Sequence, residues 1–282
     1  MQQDPITKDT WSEAIGLLCE GFDKTEPEFW QRGLDRWTTL VDDPFAEPLG
    51  YITRDKNGEG QAVLLTFRSP VPSAEFGQGV NCSSWYVRDR YRLFAPSMLN
   101  KICRESGVTY TDFTPTESVE KVLLKTGYHS LNLRHAVFSV HVLSVLRSLR
   151  VVGQAETLAQ AEDARLSDRT LADHAAIGCL VFGIETEAGI SPVVLRLITR
   201  KRVLRSAEIL YAADTNLLVR ALPAIARKLL LRGVTLIECS LPETTDVKLP
   251  YRDRGTLARY VKGPWPEDCI DYLYSEMPIL GV

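Results

Sequence analysis

The stretch from Asn81 to Leu99, NCSSWYVRDRYRLFAPSML, carries the densest chemical signal in the chain. It runs from a strand-like segment through a turn bearing Arg88, Arg90 and Arg92 into the start of a helix. Unpaired N–H groups at a helix N-terminus attract anions, and arginines beside them add charge and forked donors. The residue types alone allow two readings, a phosphate site and a charged, solvated turn. A second basic group is Arg196, Arg200 and Arg202, whose even spacing puts them on one face of a strand, followed by Arg220, Arg227, Lys228 and Arg232 on a helical stretch. Most such runs are solvated faces; this one also has the charge to receive an acidic sugar or a nucleotide-linked substrate. His174, next to Asp173, is a candidate base for a hydroxyl or amine if it faces a cleft between domains. Its plainer role is to cap or pack a helix. His129, His135 and His141 are six residues apart, a spacing that gathers ligands on neither a helix nor a tight turn, so no metal site is expected. Ser83 and Ser84 lack the Gly-x-Ser-x-Gly surround of a nucleophile, and the six cysteines form no Cys-x-x-Cys pair.

The elements that must position these groups follow from pattern. Thr10 with Glu13 has capping-box spacing ahead of Ile15 and Leu18, predicting a helix over 11–20. Thr25 with Glu28 repeats the device, Pro27 falls in the first turn, and Phe29, Trp30, Leu34 and Trp37 make the apolar face of a second helix. Lys56-Asn57-Gly58 between strand-like runs at 50–55 and 61–68 predicts a hairpin. A strand over 80–87, a helix over 95–106 stopped by Gly107, a strand over 108–113, a helix over 115–126 and a strand over 128–140 complete this set. Residues 141–165 break the rhythm and read as a connecting segment. After a helical segment over 171–177, a hairpin over 179–199, a strand over 204–212, a helix capped by Asp214 or Thr215 and a strand over 234–240 repeat the earlier order.

The bulk composition excludes several classes. The chain has 282 residues, 45% hydrophobic and 24% charged, with a formal charge of -3. That is an ordinary folded composition with no global attraction to phosphate backbones, so nucleic acid is an unfavoured partner. The polar N-terminus lacks a signal-peptide core and no window has the length of a membrane span, so the expected location is cytoplasmic and no membrane partner is expected.

The segment Ser84–Leu99 resembles the acyl-CoA-binding segment of the GNAT (N-acetyltransferase) superfamily, whose pattern is Arg/Gln-x-x-Gly-x-Gly/Ala after the fourth strand. Here the pattern is Arg92-x-x-Ala95-x-Ser97, followed by a strand and helix that close on Gly127-Tyr128. The resemblance covers residues 1–140. More narrowly, Ser83–Val87, Asp173–Ala175 and Tyr260–Pro264 are similar to segments of a group of bacterial acyl-CoA acyltransferase-like proteins. The resemblance implies acyl-CoA or acetyl-CoA as acyl donor. Amides of residues 93–97, that is Leu93, Phe94, Ala95 and Ser97 together with the Arg92 side chain, would hold the pyrophosphate, and the edge of Trp85, Tyr86 and Val87 would pair with the pantetheine arm. The thioester would lie between diverging strands. Both usual glycines are replaced, and Pro96 removes one donor. Where many family members place a tyrosine acid, four residues before the glycine, this chain has Leu123, and its fourth strand carries no carboxylate. Acid–base help then falls to Tyr86, Tyr128 or His174, or catalysis rests on positioning.

The expected fold is α/β with mixed, mostly antiparallel sheets flanked by helices. It comprises two GNAT-like units: a donor-binding domain over 1–140, a connecting segment over 141–165 and a second, degenerate domain over 166–282. The expected activity is acyl transfer to a hydroxyl or amine of a small molecule or sugar, with Arg196, Arg200 and Arg202 receiving the acceptor. Two rivals stand beside it: a non-catalytic acyl-CoA or small-molecule binding protein, and a transfer-RNA-dependent aminoacyl transferase.

Overall fold

The computed structural model describes residues 1–282 apart from 74–75, 162, 164–165 and 201–203. The chain opens with strand β1 (Gln2–Pro5) and helices α1 (Trp11–Gly21) and α2 (Pro27–Leu40). The two helices start near their expected places, but the capping boxes do not form. The Thr10 hydroxyl accepts from the Thr7 N–H at 2.8 Å, and Glu13 reaches Arg54 at 2.7 Å instead of folding back on its own helix. Thr25 donates to the Phe22 carbonyl, leaving Glu26 as the residue before Pro27. β2 (Gly50–Arg54) and β3 (Gly60–Arg68) form the hairpin, its turn held by Asp55 Oδ1 accepting from the amides of Asn57 and Glu59, with Gly58 at φ 82.

β4 (Gln78–Val87) leads through a 3-10 helix (Asp89–Phe94) directly into α3 (Ala95–Ile102), then β5 (Val108–Asp112), α4 (Glu117–Lys125) and β6 (His129–Ser130). Asn132 then adopts φ 48, a left-handed conformation that asparagine tolerates, and the chain turns into β7 (Leu133–Ser139). The single strand expected over 128–140 is therefore two strands belonging to two sheets. There follow α5 (Val140–Ser144), β8 (Val151–Val152), α6 (Gln154–Gln160), α7 (Asp168–Ala176), the hairpin β9 (Leu180–Thr186) and β10 (Gly189–Arg200), β11 (Leu204–Ala212), α8 (Thr215–Leu230) and β12 (Leu236–Leu241). The chain ends with β13 (Arg252–Leu257), β14 (Tyr260–Lys262), β15 (Ile270–Asp271) and α9 (Glu276–Leu280).

The strands make two mixed sheets. One has the order β1-β2-β3-β4-β5-β14-β6, the other β13-β7-β12-β11-β10-β9-β8 with β15 also on β11. Between named strands the parallel pairings are β4 with β5 and β11 with β12. The chain divides into two units, residues 1–130, 258–265 and 274–282 in the first, and 131–257 and 266–273 in the second. This differs from the expected boundaries of 1–140, 141–165 and 166–282. β7 belongs to the second unit, the supposed connector contains α5, β8 and α6 of that unit, and β14 and α9 return to the first. β14 has three residues, too few for a hydrophobic period to declare its sheet; what places it is pairing, Tyr260 with both Asp112 and Ser130.

In the first unit Leu64, Val80, Cys82, Leu99, Leu123 and Tyr128 form a buried cluster joining the sheet to α3 and α4, and α1 lies against β3 and β4. In the second, α8 buries Leu218, Leu222, Ile225 and Leu229 at helical spacing. Among the described residues no helix is long and apolar enough to cross a membrane.

Gly21 ends α1 beneath the ring of Tyr86 on β4, and an added Cβ would fall among the Tyr86 Cβ and ring carbons. Alanine gains roughly 0.5–1 kcal/mol over glycine inside a helix, and less at its last residue. Overpacking costs about 1–3 kcal/mol, so the clash wins. Gly21→Ala should lower stability to urea by about 1–2 kcal/mol; an unchanged or raised midpoint would show that Tyr86 does not pack on α1 as described.

Candidate functional site

β4 is built in two halves. Gln78–Asn81 pairs in parallel with Val108–Thr111 of β5. From Cys82 onward β4 keeps its antiparallel pairing with β3 but has no strand on the β5 side among the described residues. The cause is a bulge: Val63 pairs with Tyr86 and Leu65 with Ser83, so Ser84 and Trp85 together oppose Leu64, and Ser84 takes φ 52. An extra residue in one strand bends it and increases its twist. β4 therefore parts from β5, leaving the edge of Ser84–Val87 with unspent backbone groups.

The 3-10 helix and α3 continue from that edge. Among the described residues no side chain caps α3, which follows directly on the 3-10 helix. The Ala95 N–H is spent on the Arg92 carbonyl and Pro96 has none, so the expected row of amides over 93–97 is only partly available. Leu93 and Phe94 project into solvent, 91% and 51% exposed. Arg88 is committed to Glu20 and Glu59 at 2.8 and 2.7 Å. Among the described residues Arg92 has one acidic partner, the exposed Asp89 at 2.8 Å, and its Nε approaches the Val87 carbonyl at 3.4 Å. A surface pair of that kind contributes about 0–1 kcal/mol, so Arg92 can be drawn to another anion at small cost.

The three expected acid–base residues have different surroundings. Tyr86 is on β4 and donates to Glu20 Oε1 at 2.8 Å; burial, and then the Glu20 carboxylate, raise its pKa, so it holds its proton. Tyr128 is buried, its hydroxyl 3.3 Å from Cys103 Sγ and 3.6 Å from Cys82 Sγ, and burial raises it well above the usual phenol range. His174 lies in the second unit at 0% exposure, with Nδ1 2.8 Å from the Thr170 carbonyl. Burial pushes its pKa down to about 4. A side chain closed to solvent cannot meet a substrate, so the accessible catalytic histidine anticipated from the sequence is corrected to a packing residue, and Tyr128 likewise.

On β10 two of the expected basic residues carry acidic partners. Arg196 pairs with Glu208 at 2.6 Å, and Arg200 forks onto Glu238 with two bonds of 2.6 Å. Burial alone would raise Glu238, but hydrogen bonds from His135 and Arg200 outweigh it and bring its pKa to about 2. The sequence showed the arginines on one face and gave no register for the glutamates on β11 and β12. Arg202 lies outside the described residues. Among the described residues no three His, Cys, Asp or Glu side chains gather as a metal site.

Sequence reasoning missed the polar cluster where β4 and β5 part. Asn81, the last residue of β4 paired with β5, donates to Thr111 Oγ1 at 3.1 Å and accepts the Glu276 N–H at 2.9 Å. Glu276 Oε1 accepts from the Phe113 N–H at 3.2 Å and from Thr114 Oγ1 at 3.0 Å. Asp112 and Arg259 are buried nearby, and Arg259 donates to the Phe113 carbonyl. Burial pushes up both carboxyls, and the charge of Glu276 adds to the rise at Asp112. The available signal was a carboxylate set in an apolar segment, as in VTYTDF and SEMPIL.

The second unit repeats the same device and closes it. Val194 pairs with Tyr211 and Leu195 with Ile209, so Leu210 bulges from β11 as Ser84 does from β4. β11 runs parallel to β12 over Ser206–Glu208 and then takes β15 instead, Tyr211 with Asp271 and Ala212 with Ile270. At α8 the Asp214 carboxylate caps the helix, accepting from the amides of Asn216 and Leu217 at 2.8 and 3.0 Å. Both the strand edge and the anion position of this unit are occupied by the chain itself.

No protein-family model matches the sequence, and no curated protein is similar to it in sequence. Solved structures match the fold. The GCN5-related N-acetyltransferase from Anabaena variabilis aligns over 92% of this chain and 72% of its own, with TM-score 0.59 and 9% identity. That from Kribbella flavida aligns over 93% and 71%, with TM-score 0.57 and 12% identity. The Saccharomyces cerevisiae N-myristoyltransferase, solved with bound myristoyl-CoA, aligns over 96% and 87%, with TM-score 0.50 and 10% identity. The chain has a GNAT-like fold.

The burial of His174 has a pH signature. Its folded pKa of about 4 lies below the ordinary 6.5, so the unfolded chain binds the proton more readily. Stability is full above pH 6.5, falls as pH drops through the unfolded value, and levels off near the folded value of about 4. The difference corresponds to about 3 kcal/mol at most. His174→Asn should flatten this part of the pH dependence in denaturant unfolding monitored over pH 4–7; an equal slope in both proteins would show the imidazole to be solvated.

Proposed function

We propose that the protein is an acyltransferase that takes an acyl group from acyl-CoA or acetyl-CoA to an acceptor on a small molecule, with the first unit holding the donor. The observation that carries this reading is the split of β4 from β5 at Asn81 and Thr111, with the edge beyond it unpaired in the first unit and filled by β15 in the second. A strand edge is a template for an extended chain with amide groups, and the pantetheine arm is one. The residues fit the donor. Backbone groups of Trp85, Tyr86 and Val87 would pair with pantetheine. Arg92 and the uncapped N-terminus of α3, including the small Ser97, would take the pyrophosphate. The donor supplies an activated thioester; the protein supplies the edge, the anion site and proton transfer.

The solved neighbours are named for transfer to nitrogen, which favours an amine acceptor over a hydroxyl, and a sugar has no support beyond that. A second reading, a protein that binds acyl-CoA without turning it over, is favoured by one feature: Leu123 stands at the place where the resemblance puts the acid, and the alternative Tyr128 is buried. The transfer-RNA reading loses its main surface, because Arg196 and Arg200 are paired with glutamates.

Isothermal titration with acetyl-CoA tests the donor site. Arg92→Ala should weaken binding about 10-fold, the loss of one charge-assisted bond. Ser97→Asp, which puts a carboxylate at the α3 N-terminus, should abolish it. Wild-type binding that neither change affects would move the donor away from β4, and absence of binding would remove the acyltransferase reading.

A further inference from the structure

The basic group on α8 that stands out in the sequence divides once its contacts are known. Arg227 donates to the carbonyls of Ser144 and Leu146 at 3.3 and 2.8 Å, satisfying the end of α5. Arg232 approaches the Lys228 carbonyl at 3.4 Å. Arg220 differs. Its guanidinium has no hydrogen-bond or ion-pair partner among the described residues, and it lines a cleft of about 510 Å³ in the second unit together with Arg147 and Lys248. All three side chains are exposed, so the cleft is open to a ligand from solvent.

Three segments make the cleft, and both outer ones are fastened to α8. Ser148, between α5 and β8, donates to the Arg220 carbonyl at 2.9 Å. In the loop after β12, the Asp246 N–H donates to Asn216 Oδ1 at 3.1 Å, and the hydroxyls of Thr215 and Thr245 meet at 2.7 Å. Asn216 and Arg220 are four residues apart, so they share one face of the helix. The cleft therefore runs along the flank of α8, beside the N-terminus that Asp214 caps. Its charge is unbalanced. Lys248 holds Asp246 at 3.1 Å, which leaves Arg147 and Arg220 as two unmatched positive charges. Residues 139–155 and 215–237 contain no Asp or Glu, although acidic residues outnumber basic ones by 36 to 33 in the whole chain.

We infer that this cleft binds a small phosphate monoester carried on an apolar or aromatic body, at a site separate from the strand edge of the first unit. A phosphate monoester carries about −1.5 to −2 charge at neutral pH, which matches the two unspent guanidinium groups. Arginine presents a planar fork of donors to phosphate oxygens, so Arg147 and Arg220 take the phosphate. The rest of the lining suits the body. Leu149, Val219 and Leu249 give it aliphatic surface, and Asn216, whose oxygen is held by Asp246, keeps its amide nitrogen to donate to a polar edge. A bare anion would leave that aliphatic surface wet. A cleft of this volume is within the range that holds small organic ligands.

Isothermal titration of the full chain with phenyl phosphate near neutral pH tests the assignment. Binding should saturate at one site; inorganic phosphate should bind about 10-fold more weakly, because it covers none of the aliphatic surface, and phenol should not bind. Arg147→Ala and Arg220→Ala should each weaken phenyl phosphate about 10-fold, the loss of one charge-assisted contact, and the double variant should show no binding. Both positions are exposed, so these variants should keep the wild-type unfolding midpoint. Lys228→Ala removes the same charge from the same helix outside the cleft and should change binding less than about 2-fold. Wild-type affinity in the Arg147/Arg220 double variant would place the ligand elsewhere and overturn the site. Equal losses from Lys228→Ala and Arg220→Ala would do the same, by showing a diffuse field in place of a cleft. Inorganic phosphate binding as tightly as phenyl phosphate overturns the ligand class, and no binding by the wild type at millimolar phenyl phosphate overturns the proposal whatever the variants do. The acyltransferase reading stands or falls on its own titration with acetyl-CoA.

Discussion

Backbone N–H and C=O groups that leave one partner must find another, and the two sheets are organised around a single instance of that rule. In each, a bulge carries one strand of a parallel pair away from its neighbour: Ser84 on β4, Leu210 on β11. The second unit resolves the demand internally by adding β15, whose two residues saturate the β11 edge. The first unit does not, and Phe113, just beyond β5, turns to the Glu276 carboxylate. The same local geometry thus yields a closed structural module and an open one, and the difference lies in which later segment returns to which sheet.

Charge follows the same division. At α8 a carboxylate of the chain occupies the helix N-terminus, and the arginines of β10 are matched by Glu208 and Glu238 on neighbouring strands. At α3, among the described residues, no side chain caps the helix and the acidic partner of Arg92 is an exposed aspartate. An anion competing for the first position, α3, displaces little, whereas one competing for the second, α8, must displace a cap whose loss costs about 0.5–2 kcal/mol and must face the charge of Asp214. A global charge of -3 conveys none of this, because the balance is struck residue by residue across strands.

How much of this was legible in the sequence depended on the range of the interaction. The Asn57-Gly58 hairpin, the Asp214 cap and the strand–helix–strand run from β4 to β5 are local, and residue pattern placed them within a few residues. The fold class followed from their order. The capping boxes failed because Thr10 and Glu13 had better partners in Thr7 and Arg54, the second 41 positions away. The strand read over 128–140 failed because apolar alternation continues through Asn132 while the backbone does not. His174 was conspicuous as an isolated histidine, but isolation in sequence says nothing about burial. Glu276 was invisible for the opposite reason, since its significance comes from Asn81 and Phe113, more than 160 residues earlier.

That separation is what makes the threading of the chain matter. After β13 the chain contributes β14 to the first sheet beside β5, β15 to the second beside β11, and α9 to the first again. β14 brings Arg259 to the end of β5, and α9 brings Glu276 to the same place. Neither segment is long enough to fold alone: β14 has three residues and α9 five, far below the ~12–15 residues at which isolated helices become marginal. Both are therefore held by tertiary contacts, and the polar ones converge on the β5 terminus. A buried guanidinium with two buried carboxyls is a costly way to anchor a terminus, since apolar residues of the same volume are often neutral or better. What the arrangement fixes is position: Arg259 and Glu276 both bind the Phe113 backbone just beyond β5, which ties the return of the chain to the place where β4 and β5 part.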